Sequence, residues 1–129
     1  MSAGKYNIFI EQGSDFSLQL TVQESGSAKN LTGYSVRGQL RSSIDAASAS
    51  ASFTGAVTNA SQGILTASLP FTVTESLTPG VYNYDIEIFT SGSVQKLLKG
   101  LATVTGEVTR WVFLLVPWLS LKIELLLTK

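Results

Sequence analysis

The chain has 129 residues, of which 44% are hydrophobic and only 14% charged, with nine basic and nine acidic side chains giving a formal net charge of zero. That length suits one domain with a real core, and the charge balance argues against both nucleic-acid binding through a basic surface and a disordered acidic tail. There is no cysteine and no histidine, which removes disulfides, thiolate or imidazole metal sites and every triad built on a His base.

Met1-Ser2-Ala3-Gly4-Lys5 carries no apolar run, so no signal peptide is expected, and the sequons at Asn30 and Asn59 are read as chance matches. Tyr6, Ile8 and Ile10 alternate with Asn7, Phe9 and Glu11, a first short strand. A turn at Glu11 to Asp15 leads to a second strand with Phe16, Leu18, Leu20 and Val22 on one face and Ser17, Gln19 and Thr21 on the other. Glu24 to Ser27 reads as a loop. A third strand then places Tyr34, Val36, Gly38 and Leu40 against Arg37, Gln39 and Arg41, an exposed or ion-paired face whose two arginines could also grip a carboxylate or phosphate.

Residues 42–52 are rich in Ser and Ala and read as an exposed loop ending in an edge strand. Phe53 to Thr58 and Ile64 to Leu69 form a hairpin across the turn-rich Asn59 to Gly63. Thr72 and Glu75 have capping-box spacing, which predicts one helical turn before Pro79-Gly80. The clearest alternation follows, with Tyr82, Tyr84, Ile86 and Ile88 on one side and Asn83, Asp85 and Glu87 on the other. Val94 to Leu98 and Gly100 to Thr105 give a last long or bent strand, with Gly100 as the expected bulge. About seven or eight strands with turn signals between them predict an all-β fold, an antiparallel immunoglobulin-like sandwich over residues 1–110.

Beyond Arg110 the composition changes. Trp111 to Leu121 carries no charge, and Leu119, Leu121, Ile123, Leu125 and Leu127 then alternate with Ser120, Lys122, Glu124 and Leu126. A membrane span is disfavoured, because Pro117, Lys122 and Glu124 interrupt a run already short of the roughly 17–25 apolar residues required. Residues 111–129 are therefore either an apolar segment that docks on a partner through Trp111, Phe113, Trp118, Leu121 and Ile123, or an extension read outside the usual frame.

Four landmarks occur in order: Ile8-Phe9-Ile10-Glu11-Gln12-Gly13; Leu31-Thr32-Gly33-Tyr34 with Arg37 and Gln39-Leu40-Arg41; Gly80-Val81-Tyr82-Asn83-Tyr84-Asp85; and Gly106-Glu107-Val108-Thr109-Arg110. Together they resemble small tailed-phage virion proteins and the β-sandwich domain at the N-terminus of BppU-type baseplate proteins, over residues 5–110. The resemblance implies an immunoglobulin-like building block of a phage tail, baseplate or neck. It would be made in the host cytoplasm, located in the virion, and partnered by other tail proteins and copies of itself. It implies no catalytic, cofactor-binding or metal-binding residue. The nineteen residues after Arg110 depart from that pattern.

Two other functions are weighed. A carbohydrate-binding or host-surface module would use Tyr6, Tyr34, Tyr82, Tyr84 and Phe89 as stacking platforms, although aromatics on alternating strands usually belong to the core. An enzyme would need two carboxylates across a cleft, and Glu11, Asp15, Glu24, Asp45, Glu75, Asp85, Glu87, Glu107 and Glu124 show no such pairing by spacing. Glu11, Ser14 and Asp15 could offer oxygens to a cation but lack EF-hand spacing.

Overall fold

Residues 4–108 are described by the structure, a computed structural model; residues 1–3 and 109–129 lie outside the described part. In chain order the elements are β1 Gly4–Lys5, β2 Ile8–Glu11, β3 Phe16–Thr21, β4 Gln23–Glu24, β5 Ser27–Ala28, β6 Ser35–Arg41, β7 Ala51–Ser52, β8 Thr54–Asn59, β9 Ile64–Leu69, α1 Phe71–Thr74, β10 Gly80–Thr90 and β11 Ser93–Thr105. The all-β sandwich predicted from alternation is what forms. One layer runs β1-β11-β10-β6-β7 with β2 also on β11, and the other runs β3-β9-β8. The segment read as a loop after β3 is a small β4–β5 hairpin. Its two turn residues, Ser25 and Gly26, have φ of 53° and 79°, the positive values that a two-residue turn matched to strand twist requires.

The core lies between the layers and is filled by the predicted faces. Tyr82, Tyr84, Ile86 and Ile88 from β10 meet Leu65, Ala67 and Leu69 from β9, with Ile8, Ile10, Ala102 and Val104 closing one side. Fully burying one Ile or Leu contributes about 1.5–3 kcal/mol, so this row outweighs any single polar contact on the surface. Phe53 marks the place where the chain leaves the large sheet at β7 and enters the small one at β8. Its N–H donates to the Gly38 carbonyl at 2.9 Å, and its ring stands edge-on to Tyr84 with centroids 6.2 Å apart.

Three local expectations need correction. The helical turn forms, but not through the Thr72/Glu75 box: the residue at its N-cap is Pro70, with no side-chain cap of its own. Asp15, from the turn before β3, instead accepts the Phe71 N–H at 2.7 Å, because tertiary proximity supplies the acceptor that a local cap would have given. The sheet is not purely antiparallel, since β1 and β2 lie parallel to β11, with Ile8 opposite Ala102 and Gly4 opposite Leu98.

Finally, Gly100 is in regular register with Tyr84, and the irregularity falls between Ile86↔Leu98 and Glu87↔Lys96, leaving Leu97 unmatched. What requires glycine at position 100 is close approach. A Cβ there would lie 2.2 Å from the Tyr6 carbonyl oxygen, at the break between β1 and β2.

Candidate interaction surface

The outer face of the large sheet gathers the chemistry that the core cannot use, arranged in three bands across β6, β10 and β11. The first is ionic. Glu87 points outward from β10 yet is only 7% exposed, because Arg37 on β6 and Lys96 on β11 close over it. The Arg37 Nε and Nη2 each lie 2.7 Å from Glu87 Oε2, and Lys96 Nζ reaches Glu87 Oε1 at 2.6 Å and Asp85 Oδ2 at 2.9 Å. The Arg37 guanidinium also stacks 4.2 Å from the centre of the Phe89 ring. Burial pushes the Glu87 carboxyl up, but the bonds from Lys96 and Arg37 outweigh it and hold the group below its ordinary value. The same bonds, to Glu87 first and then Asp85, push the Lys96 ammonium up.

This band exists because of the bulge at Leu97. In unbroken alternation Lys96 would share the inner face with Leu98. The extra residue lets Leu97 and Leu98 both pack inward, against the two halves of the core, and carries Lys96 across to face Glu87. The Lys-Leu-Leu-Lys run at 96–99 is the sequence signal for this, two adjacent apolar residues between two charges.

The second band is an open groove of about 600 Å³. Three cations, Lys5, Arg41 and Lys99, line it together with the amides of Asn7, Gln39 and Asn83 and the carboxylate of Asp85, while Ile44 and Leu101 supply apolar walls. Arg41 is tied down by donating from Nη1 to the Ala46 carbonyl at 2.7 Å and from Nη2 to Gln39 Oε1 at 2.9 Å, which fixes the loop carrying Ile44. Beneath the groove the Tyr84 hydroxyl donates to the Tyr6 carbonyl at 2.5 Å. Burial, helped by the neighbouring Tyr6, pushes the Tyr84 phenol up to about 12. The third band is apolar: Phe9, 70% exposed, and Val81, 57% exposed, flank Thr103 in one cross-strand row, with Leu101 beside them.

Sequence reasoning singled out other residues. Of the candidate stacking aromatics, Tyr82 and Tyr84 are buried, Lys29 lies 5.2 Å from the Tyr34 ring centre and Arg37 covers Phe89; Tyr6 is 55% exposed. Arg37 does grip a carboxylate, but one of its own sheet. The acids stay dispersed: Glu24 pairs with Lys29 at 2.7 Å, Asp15 caps α1, and Asp85 and Glu87 share Lys96. The hydrogen bond from Lys29 is what holds the Glu24 carboxyl down. Among the described residues no group of three or more acidic side chains is placed to hold a metal, at Glu11 and Asp15 or elsewhere, and no helix is long and apolar enough to cross a membrane. The docking candidates Trp111, Phe113, Trp118, Leu121 and Ile123, and the acid Glu124, lie outside the described residues.

No protein-family model matches the chain, and no curated protein matches it. Among solved structures, the crystal structure of Listeria monocytogenes InlP is 17% identical, with a TM-score of 0.43 over 80% of this chain and 28% of that one. The N-terminal domain of phage TP901-1 ORF48 is 11% identical, with a TM-score of 0.50, and the match covers 81% of this chain and 98% of that domain. The resemblance expected from the four landmarks is thus found at the level of the fold, and the chain shares the architecture of that phage domain along nearly its whole length.

Proposed function

We propose that the chain is a non-enzymatic structural protein of a phage particle, a building block of tail, baseplate or neck that works through protein–protein contacts. The observation that carries this reading is the shared architecture with the N-terminal domain of phage TP901-1 ORF48 over 98% of that domain. The surface is compatible with it. The outer face of the large sheet is banded, with ionic, polar and apolar strips, which suits docking to another rigid surface. On this face Glu87 is engaged by Arg37 and Lys96, and Asp85 by Lys96, the opposite of what acid–base chemistry needs. A carbohydrate platform has less support, because the aromatic rings it would use are mostly buried or covered by cations.

In this reading residues 1–110 form the rigid body, and residues 111–129, with Trp111, Phe113, Trp118, Leu121 and Ile123, are a docking segment for a neighbouring tail protein. Peptide mass spectrometry of particles purified from the encoding phage tests the assignment. Peptides from residues 6–37 and 42–96 are expected at virion stoichiometry. Their absence from intact particles, with the protein present in the infected cell, overturns it.

A further inference from the structure

The strand edges differ in how well they are guarded. The large sheet ends on one side in the two-residue β7, and on the other in β1 and β2, broken at Tyr6-Asn7. In the small sheet, β8 contains Gly55 and a register shift between Val57 and Asn59. Short strands, breaks and bulges are the usual devices that stop an edge from pairing. The edge formed by β3 has none of them. It is six residues long, Phe-Ser-Leu-Gln-Leu-Thr, without charge, glycine, proline or bulge, and among the described residues no strand lies on its outer side.

The ladder fixes which backbone groups face outward. Val22 N–H donates to the Gly63 carbonyl at 2.7 Å, and the register continues as Leu20↔Leu65, Leu18↔Ala67 and Phe16↔Leu69. In antiparallel pairing, hydrogen-bonded residues alternate, so Phe16, Leu18 and Leu20 bond to β9. Ser17, Gln19 and Thr21 therefore turn their N–H and C=O groups to the open side. The inward side chains Phe16, Leu18 and Leu20 are only half-buried, so the core is incompletely covered along this same edge.

We propose that β3 is a self-pairing edge whose occupant is β3 of a second copy, antiparallel about a two-fold axis at Gln19. The sequence is complementary to itself in that register. Gln19 faces the partner's Gln19 and Ser17 faces the partner's Thr21, three outward pairs that would exchange about six backbone hydrogen bonds. On the inner face Leu18 meets the partner's Leu20 and Phe16 meets the partner's Val22, which continues the apolar layer across the dyad. No like charges are opposed: Asp15 falls opposite the partner's Gln23 and Glu24 opposite the partner's Ser14. Two three-stranded sheets become one of six strands. This pairing stands independently of the virion role.

The test uses the full chain, by light scattering across a concentration series and amide hydrogen exchange. The expected species is a dimer with slowed exchange at Ser17, Gln19 and Thr21. Gln19→Lys sets two ammonium groups face to face on the dyad and should weaken dimerisation at least tenfold while leaving the thermal melt of the monomer in place. Because the chain has no native cysteine, Gln19→Cys gives a second readout. Cα atoms in a hydrogen-bonded pair lie about 5.5 Å apart, within disulfide reach, so this variant should cross-link to itself on mild oxidation and Ser17→Cys should not. A monomeric wild type, whether its β3 amides exchange quickly or slowly, overturns the proposal. So does a dimer that survives Gln19→Lys, or one in which Ser17→Cys cross-links as readily as Gln19→Cys.

Discussion

Glu87→Gln removes one negative charge from the centre of the ionic band while keeping the side chain's shape. Two regimes bracket the cost. Truncating one partner of a fully buried ion pair costs about 3–5 kcal/mol, whereas an exposed pair contributes about 0.2–1 kcal/mol. Glu87 belongs to the first regime, with its side chain 9% exposed, but Arg37 and Lys96 belong to the second, at 54% and 55%. The two cations recover water when the charge is lost, and the amide oxygen still accepts a hydrogen bond. The expected loss after screening is about 1–2 kcal/mol, a fall in Tm of about 5–10 °C for a domain of this size.

The pH dependence has a definite sign. The folded-state Glu87 carboxyl lies below its ordinary value of 4.5, so its contribution is complete above pH 4.5 and is lost as pH falls through the folded value. Thermal melts of wild type and variant should differ by a constant amount between pH 6 and 8 and converge on acidification below about pH 4.5. A gap that persists undiminished to pH 3, or no gap at pH 7, refutes the reasoning.

Three further outcomes follow from the same geometry. Tyr84→Phe removes the hydroxyl that donates to the Tyr6 carbonyl and should cost about 1 kcal/mol. In the wild type this contribution is complete below pH 10 and fades as pH rises toward about 12; an ultraviolet titration should show a late tyrosine that the variant lacks. Gly38→Ala would set a Cβ 2.4 Å from the Asp85 carbonyl oxygen, so a urea melt should show a loss of about 3 kcal/mol; an unchanged midpoint would mean that β6 and β10 can separate freely. A chain ended after Arg110 should still unfold cooperatively with an unchanged urea slope, since the core residues among the described residues run from Ile8 to Val104; a lost transition places the boundary wrongly.

The parts of the fold that could be read from the chain are those where side-chain period alone decides. The Tyr82 to Ile88 face, the Phe16 to Leu20 face and the Ile64 to Leu69 hairpin all landed where alternation puts them, because a one-residue slip would expose a whole row of apolar groups. Contacts that depend on distant backbone were not readable. Asp15 caps a turn that begins 56 positions later, and nothing local to Phe71 announces it. The parallel course of β1 and β2 along β11 is likewise a choice of partner, which the same Tyr6-Ile8-Ile10 pattern would have served antiparallel. On the outer face of the large sheet, the placing of Arg37 and Arg41 on one side of a strand was legible, but the reach of Lys96 to Glu87 was not. Gly100 drew attention that belonged to the doubled leucine at 97–98.

The doubled leucine shows where one such fold comes to differ from another. Strict alternation fills the core and leaves the outward positions free, which is how 11% identity coexists with a match over 98% of the phage domain. What gives this outer face its own character is one departure from the period and one close approach of backbone. The unmatched Leu97 delivers Lys96 to Glu87, and Gly100 lets the Tyr6 backbone settle against β11, where its carbonyl receives the Tyr84 hydroxyl and its N–H bonds the Lys99 carbonyl. The first builds the ionic band, and the second brings Lys5 and Asn7 to the groove beside Lys99. Deleting Leu97 should leave Lys96 opposite Glu87 in regular register while removing one apolar side chain from the Leu65–Ile88 half of the core, so a urea melt should show lost stability with the ionic band intact. The extra leucine serves the core, and the lysine before it serves the surface.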